Sequence, residues 1–234
     1  MHPHLPVELL TDIIALAWNM PLSPQERTLM QTSRLVNSTW AETFDLVSSR
    51  DVYITSPASS GRFLGHLISR PMDGLAVRSL TVQIGGSPSH KKDNDTSNTK
   101  RTVLIMEAAL IDLLDRLDVF DATPNLHHLS VHYLDALCES DLFRRHGLAS
   151  LPPSITHLEL RCSFSGDDSG AAAKFPQRAQ RSIRWYAPSI ANLAVIGVGD
   201  AMTRDMLEAC PNTRVLEVDS SCRFEMLNVS ILRC

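Results

Sequence analysis

With 234 residues, 44% of them hydrophobic, and a formal charge of -4, the chain can build one sizeable core plus a small appendage and has no general attraction for phosphate backbones. Lys91-Lys92 and Lys100-Arg101 are isolated basic pairs in a polar stretch, so no nucleic-acid partner is expected. The longest apolar run, Ile13 to Trp18, is too short for a bilayer, Met1-His2-Pro3-His4 lacks signal-peptide character and the 5 scattered cysteines suit reduced thiols, so a cytoplasmic or nuclear protein without membrane contact is expected.

Pro6 suits a first helical turn, where its missing N–H would have had no partner anyway. Leu9, Leu10, Ile13, Ile14, Leu16 and Ala17 follow at helical spacing on one broad face, with Glu8, Thr11 and Asp12 on the other. Ser23-Pro24-Gln25-Glu26 reads as a capping box opening a second helix, whose apolar side begins with Leu29 and Met30. Around Asn37-Ser38 a third helix takes over, with Val36, Trp40, Phe44 and Val47 along one side. Three short helices within residues 1–49 bury too little to stand alone, so they must lean on the following domain or on a partner.

Leu5-Pro6-x-Glu8-Leu9-Leu10-x-x-Ile13-Ile14, then Leu29 and the run Ser33-Arg34-Leu35-Val36-Asn37-Ser38-Thr39-Trp40, resemble the F-box pattern. The connection from Trp18 to Leu29 is longer than that pattern usually has. The resemblance implies that Leu5, Pro6, Leu9, Ile13, Leu35, Val36 and Trp40 contact the Skp adaptor of an SCF-type ubiquitin ligase, while the rest of the chain recruits the protein to be ubiquitinated. The alternative is a repeat scaffold with no link to ubiquitin, its N-terminal helices serving as a cap over the first strand.

The second region, residues 50–234, starts with a short alternating strand, Arg50 to Ile54, and a helix carrying Phe63, Leu64, Leu67 and Ile68. Pro71 ends that helix, and Val77 to Ile84 supplies a second strand with Leu80, Val82 and Ile84 on one side. Gly85 to Arg101 holds no residue able to anchor to a core and reads as a disordered surface insertion. From Val103 to Phe120 a long helix carries Met106, Leu110, Leu113, Leu114, Leu117 and Phe120 as a stripe, opposite Asp112, Asp115, Arg116 and Asp118.

Thereafter one form recurs: Pro-(Asn/Ser)-φ-x-x-Leu-x-φ, where φ is apolar, at Pro124, Pro153, Pro188 and Pro211, with Thr213 the one polar lapse at φ. The reference leucines Leu80, Leu129, Leu158, Leu193 and Leu216 are separated by 49, 29, 35 and 23 residues, spacings that suit leucine-rich repeats once the polar insertion is allowed for. Each copy reads as a turn leading into a strand whose Leu and second φ point inward, with returning helices such as Phe175 to Tyr186 or Met202 to Cys210 behind. Phe224 to Ile231 starts one further alternating strand.

The junction from Arg50 to Val82 also resembles that of fungal F-box proteins, so the fold expected is α/β: an N-terminal three-helix F-box followed by an irregular leucine-rich-repeat-like solenoid of short parallel strands and helices. A compact doubly wound sheet is the competing arrangement.

No motif for an enzyme or a cofactor stands out, and a non-enzymatic protein without a cofactor is expected. Gly166-Asp167-Asp168-Ser169-Gly170 lies in a small, polar loop, and Gly197-Val198-Gly199 lacks the third Gly and the Lys of a phosphate loop. His127, His128 and His132 invite a metal reading, but His128 and His132 are four strand residues apart, about 13 Å, too far to share an ion. On the face away from the core stand Gln83, His128, Ser130, His132, His157, Glu159, Arg161, Glu217 and Asp219, a mixed-charge row on which His132, Glu159, Arg161 and Glu217 are the candidate contacts for an unknown protein target.

Overall fold

The computed structural model describes residues 6–19, 30, 32, 35–70, 76–85, 96–136, 151–164, 186–219 and 230–233. Among them stand five helices, α1 (Val7–Asn19), α2 (Ser38–Arg50), α3 (Pro57–Ser69), α4 (Thr96–Phe120) and α5 (Asp200–Ala209), and seven strands. The strands are β1 (Asp51–Ile54), β2 (Ser79–Gly85), β3 (His128–Ala136), β4 (His157–Phe164), β5 (Asn192–Ile196), β6 (Val215–Val218) and β7 (Ser230–Arg233). They form one sheet in the order β1-β2-β3-β4-β5-β6-β7, and every neighbouring pair is parallel. A doubly wound sheet reverses its order at a switch point. This one advances in a single direction, so that competing arrangement is not the one adopted.

The register follows the repeated leucine. Leu80 pairs with Leu129, Leu129 with Leu158, Leu158 with Leu193 and Leu193 with Leu216, and the second φ of each strand falls two residues on in the same ladder. All these leucines, with Val82, Val131, Leu160, Val195 and Val218, are buried in one continuous core. The turns before β3, β4, β5 and β6 are built alike: Leu126 donates its N–H to Thr123 O, Ile155 to Pro152 O, Ile190 to Ala187 O and Thr213 to Cys210 O. The polar lapse at Thr213 costs little, because its hydroxyl donates to the Cys210 carbonyl at 2.8 Å while the residue stays buried.

Two strand ends demand glycine. Gly85 at φ 91° and Gly197 at φ 78° lie against the carbonyls of Leu134 and Cys162 on adjacent strands, which a Cβ atom would overlap.

Helix α4 packs against β2 and joins the core through Met106, Leu110, Leu113, Leu114 and Leu117, and α5 joins the same core through Met202, Met206 and Leu207. Two sequence readings need correction here. Phe120, expected in this stripe, is 63% exposed on the last turn of the helix. The expected disordered insertion 85–101 is too long at both ends: Gly85 closes β2 and the helix already begins at Thr96, leaving 86–95 outside the described residues. Of the second helix expected from Ser23 only Met30 and Thr32 are among them, both helical; the helix expected over 175–185 and the loop 166–170 with Ser169 lie outside them, and Tyr186 precedes the turn into β5 without being helical.

Helices α1 and α2 hold a second, smaller cluster of their own: Leu10, Ile14, Trp18, Phe44 and Val47, with Met30 and Trp40 against it. Trp18 and Phe44 meet edge to face at 5.2 Å. Asn37 caps α2 by accepting the Trp40 N–H at 2.8 Å. The cluster is tied to the sheet by a buried bond in which Trp18 Nε1–H donates to the Asp51 carbonyl of β1 at 2.7 Å, and by the Asp51 N–H, which donates to the Val47 carbonyl at the end of α2.

Candidate functional site

Two surfaces stand out, one on α1 and one on the outer face of the sheet. The single broad apolar face expected of α1 divides in two. Leu10, Ile14 and Trp18, at i, i+4 and i+8, are buried, whereas Leu9 (47% exposed), Ile13 (43%) and Leu16 (72%), at i, i+4 and i+7, form a neighbouring exposed strip. Leu35 is more exposed still, and Val36 is also exposed. Val36 was expected on the apolar side of the third helix, but it precedes the Asn37 cap and so lies outside α2. Of the expected adaptor contacts, Pro6, Leu9, Ile13, Leu35 and Val36 are exposed, Trp40 is half-buried against the helical cluster and Leu5 lies outside the described residues.

On the outer sheet face the polar row gathers around Glu159. Ser130 of β3 donates to Glu159 Oε2 at 2.7 Å, and Arg161 donates Nε–H and Nη2–H to Oε1 at 3.0 and 2.8 Å. Nε2 of His128 lies 3.7 Å from Oε2, and Nε2 of His132 3.9 Å from Oε1. The two histidines, too far apart along β3 to share an ion by spacing alone, therefore flank one carboxylate. His128 and His132 first, then Ser130 and Arg161, hold the Glu159 carboxyl well below the usual carboxylate range against its burial, which acts the other way.

The bond directions bear on chemistry. Ser130 has one hydroxyl proton and gives it to Glu159, so the 2.8 Å contact between Ser130 Oγ and His132 Nε2 requires His132 to donate. A nucleophile needs the reverse arrangement, with the imidazole accepting the hydroxyl proton. In this arrangement Ser130 is not primed by His132. Among the described residues no group of three or more His, Cys, Asp or Glu is arranged to hold a metal ion.

The chain matches no protein-family model, no curated protein and no solved structure.

Around this cluster the ladder continues the polar face. Asn192 Nδ2–H donates to His157 Nε2 at 2.8 Å, so the ring proton sits on Nδ1, toward Thr156 Oγ1 at 2.9 Å. Burial, then the neighbouring His128 and His127, lowers the His157 pKa. On the β1 side Tyr53 OH donates to Gln83 Oε1 at 2.8 Å, and Ser79 Oγ–H donates to Asp51 Oδ1 at 2.8 Å. His132, Glu159 and Arg161 therefore come together as candidate target contacts, whereas Glu217 stands apart, separated from Glu159 by Ala194 of β5.

Sequence reasoning placed Ser130 and His128 on this face without seeing that they converge on Glu159. The signal was present in the register, since aligned Pro motifs put Ser130 opposite Glu159. Trp18 was read only as the end of an apolar run. Its i+8 position from Leu10 marks it as part of the buried stripe. None of the described helices is long and apolar enough to cross a membrane.

Proposed function

We propose that the chain is a non-enzymatic adaptor of the F-box type, with α1 and its neighbours docking to a Skp-type subunit of an SCF ubiquitin ligase and the leucine-rich-repeat-like strand face receiving the protein to be modified. One observation supports this above the others: Leu9, Ile13 and Leu16 form an apolar strip beside, not within, the small helical core, with Leu35 and Val36 also exposed. A helix that buried all its apolar residues in its own molecule would leave nothing to dock. The sequential parallel order of the strands suits a repeat stack, in which each unit contacts its neighbours and one strand face remains open to a partner.

A second reading, a repeat scaffold with a helical cap, draws on the Trp18 bond to the Asp51 carbonyl, which ties the helices to the first strand of the sheet. The two readings differ in what covers the strip. Capture of a purified Skp-type adaptor by the wild-type chain, lost in a Leu9→Asp, Ile13→Asp double variant that keeps its thermal transition, is the result expected for the adaptor. Both positions are exposed enough to take a carboxylate without opening the helical core. A folded wild-type chain that captures no adaptor leaves the cap.

A further inference from the structure

We propose that Arg161 is a pre-organised receptor for side-chain carboxylates of an acidic segment in the protein that the strand face receives, with Glu159 as its positioning residue and His128 beside it. The proposal rests on the reading of the strand face as a docking surface, and goes further by naming the chemistry of what docks.

The argument starts from donors and acceptors. Glu159 is the one anionic group in the cluster, and its oxygens already accept from Ser130 and Arg161 with both histidines alongside. It offers a partner little. Arg161 spends only Nε–H and one Nη2–H on Glu159 Oε1, and its side chain remains 54% exposed. The rest of its guanidinium N–H donors are held in a fixed plane at the surface, ready for a further oxygen acceptor. His128, its side chain 46% exposed, adds a second nitrogen-bearing group on the adjacent strand.

Fixing a long arginine before binding removes much of the ordering cost that a mobile surface arginine would incur on binding. The groups presented are donors with the local negative charge already neutralised, and the complementary chemistry is a carboxylate on an extended acidic segment. Titratable or charged groups around Arg161 and His128 at the paired positions are His132 on β3 and His157 and Glu159 on β4, while the facing positions on β2 are Ser79, Thr81 and Gln83 and on β5 Asn192, Ala194 and Ile196.

The test uses the full chain and a fluorescent peptide rich in Glu and Asp, compared with its Gln and Asn counterpart, by anisotropy at neutral pH. The wild type binds the acidic peptide in preference to the amide one. Arg161→Gln weakens that binding by roughly tenfold or more, and Arg161→Lys, which keeps the charge but not the fork, loses part of it. Glu159→Gln distinguishes positioning from simple charge. Removing a negative charge strengthens binding of an acidic peptide if Coulomb attraction alone acts, whereas loss of the positioning group weakens it. Equal binding of the two peptides, Arg161→Lys indistinguishable from wild type, or tighter binding by Glu159→Gln overturns the proposal. If Glu159→Gln fails to fold, the two Arg161 variants on the exposed face carry the test. Adaptor capture measured on the same preparations separates the two ideas: peptide failure with adaptor capture intact removes this site alone, and the converse removes only the ligase reading.

Discussion

The helical pair and the sheet are built from similar apolar residues and use them differently. In the sheet, each leucine of the repeated motif is stacked between equivalent residues of adjacent strands, and little of that apolar material is exposed. In α1, apolar residues are shared between a cluster of five buried side chains and an exposed strip next to it. Hydrophobic content alone therefore does not say what a helix is for. The division of its apolar residues between its own core and the surface does.

The largest effect that sharpens this contrast is in the ladder. Leu129→Ala, at a fully buried central position, should lower unfolding stability by about 2 to 5 kcal/mol in urea titrations. Gly197→Ala forces a side chain into positive φ and against the Cys162 carbonyl, and should cost about 1 to 3 kcal/mol or more by the same measurement. Trp18→Phe keeps most of the ring packing but removes the donor to the Asp51 carbonyl. A loss of about 1 to 2 kcal/mol, with faster amide exchange in α1, is expected.

Acid should act through the outer face in two windows. The folded His157 pKa lies below its ordinary 6.5, so the unfolded chain takes up that proton first; its contribution is complete above 6.5 and declines as pH falls through that value. Glu159 is likewise held below its ordinary 4.5, and its contribution declines as pH falls below 4.5. Both shifts make acid destabilising. Urea midpoints against pH should lose the upper window in His157→Gln and the lower one in Glu159→Gln, and a midpoint that rises on acidification would contradict both. The smallest effect belongs to the strip: Leu16→Ala should change stability by no more than roughly 0.5 kcal/mol, and a core-sized loss there would erase the distinction between the two regions.

Much of the sheet was legible in the sequence because a period of two, anchored by Pro and Leu at fixed offsets, leaves little freedom in register. Leu80, Leu129, Leu158, Leu193 and Leu216 were aligned from sequence alone and meet as neighbours. The division of α1 was not legible, because Leu9 and Leu10 are equally apolar and only the partner surface decides which is buried. Phe120 misled for a related reason, since helical periodicity runs to the end of the helix and does not show that its last residue is exposed. The start of α4 at Thr96 was hidden because Thr, Ser and Asn at its first turns carry turn and cap signals as readily as helical ones. At the outer face, strand alternation identified the polar residues, but the bonds from Ser130 and Arg161 to Glu159 depend on how long side chains reach across strands, which spacing does not encode.

Amide hydrogen exchange of the intact chain, with and without a purified Skp-type adaptor, tests most directly whether the strip on α1 is kept for another molecule. The account predicts slowed exchange concentrated in Val7–Asn19 and around Leu35 and Val36, with β3 and β4 unchanged. Exchange that is identical with and without adaptor, or protection confined to the sheet, would contradict it.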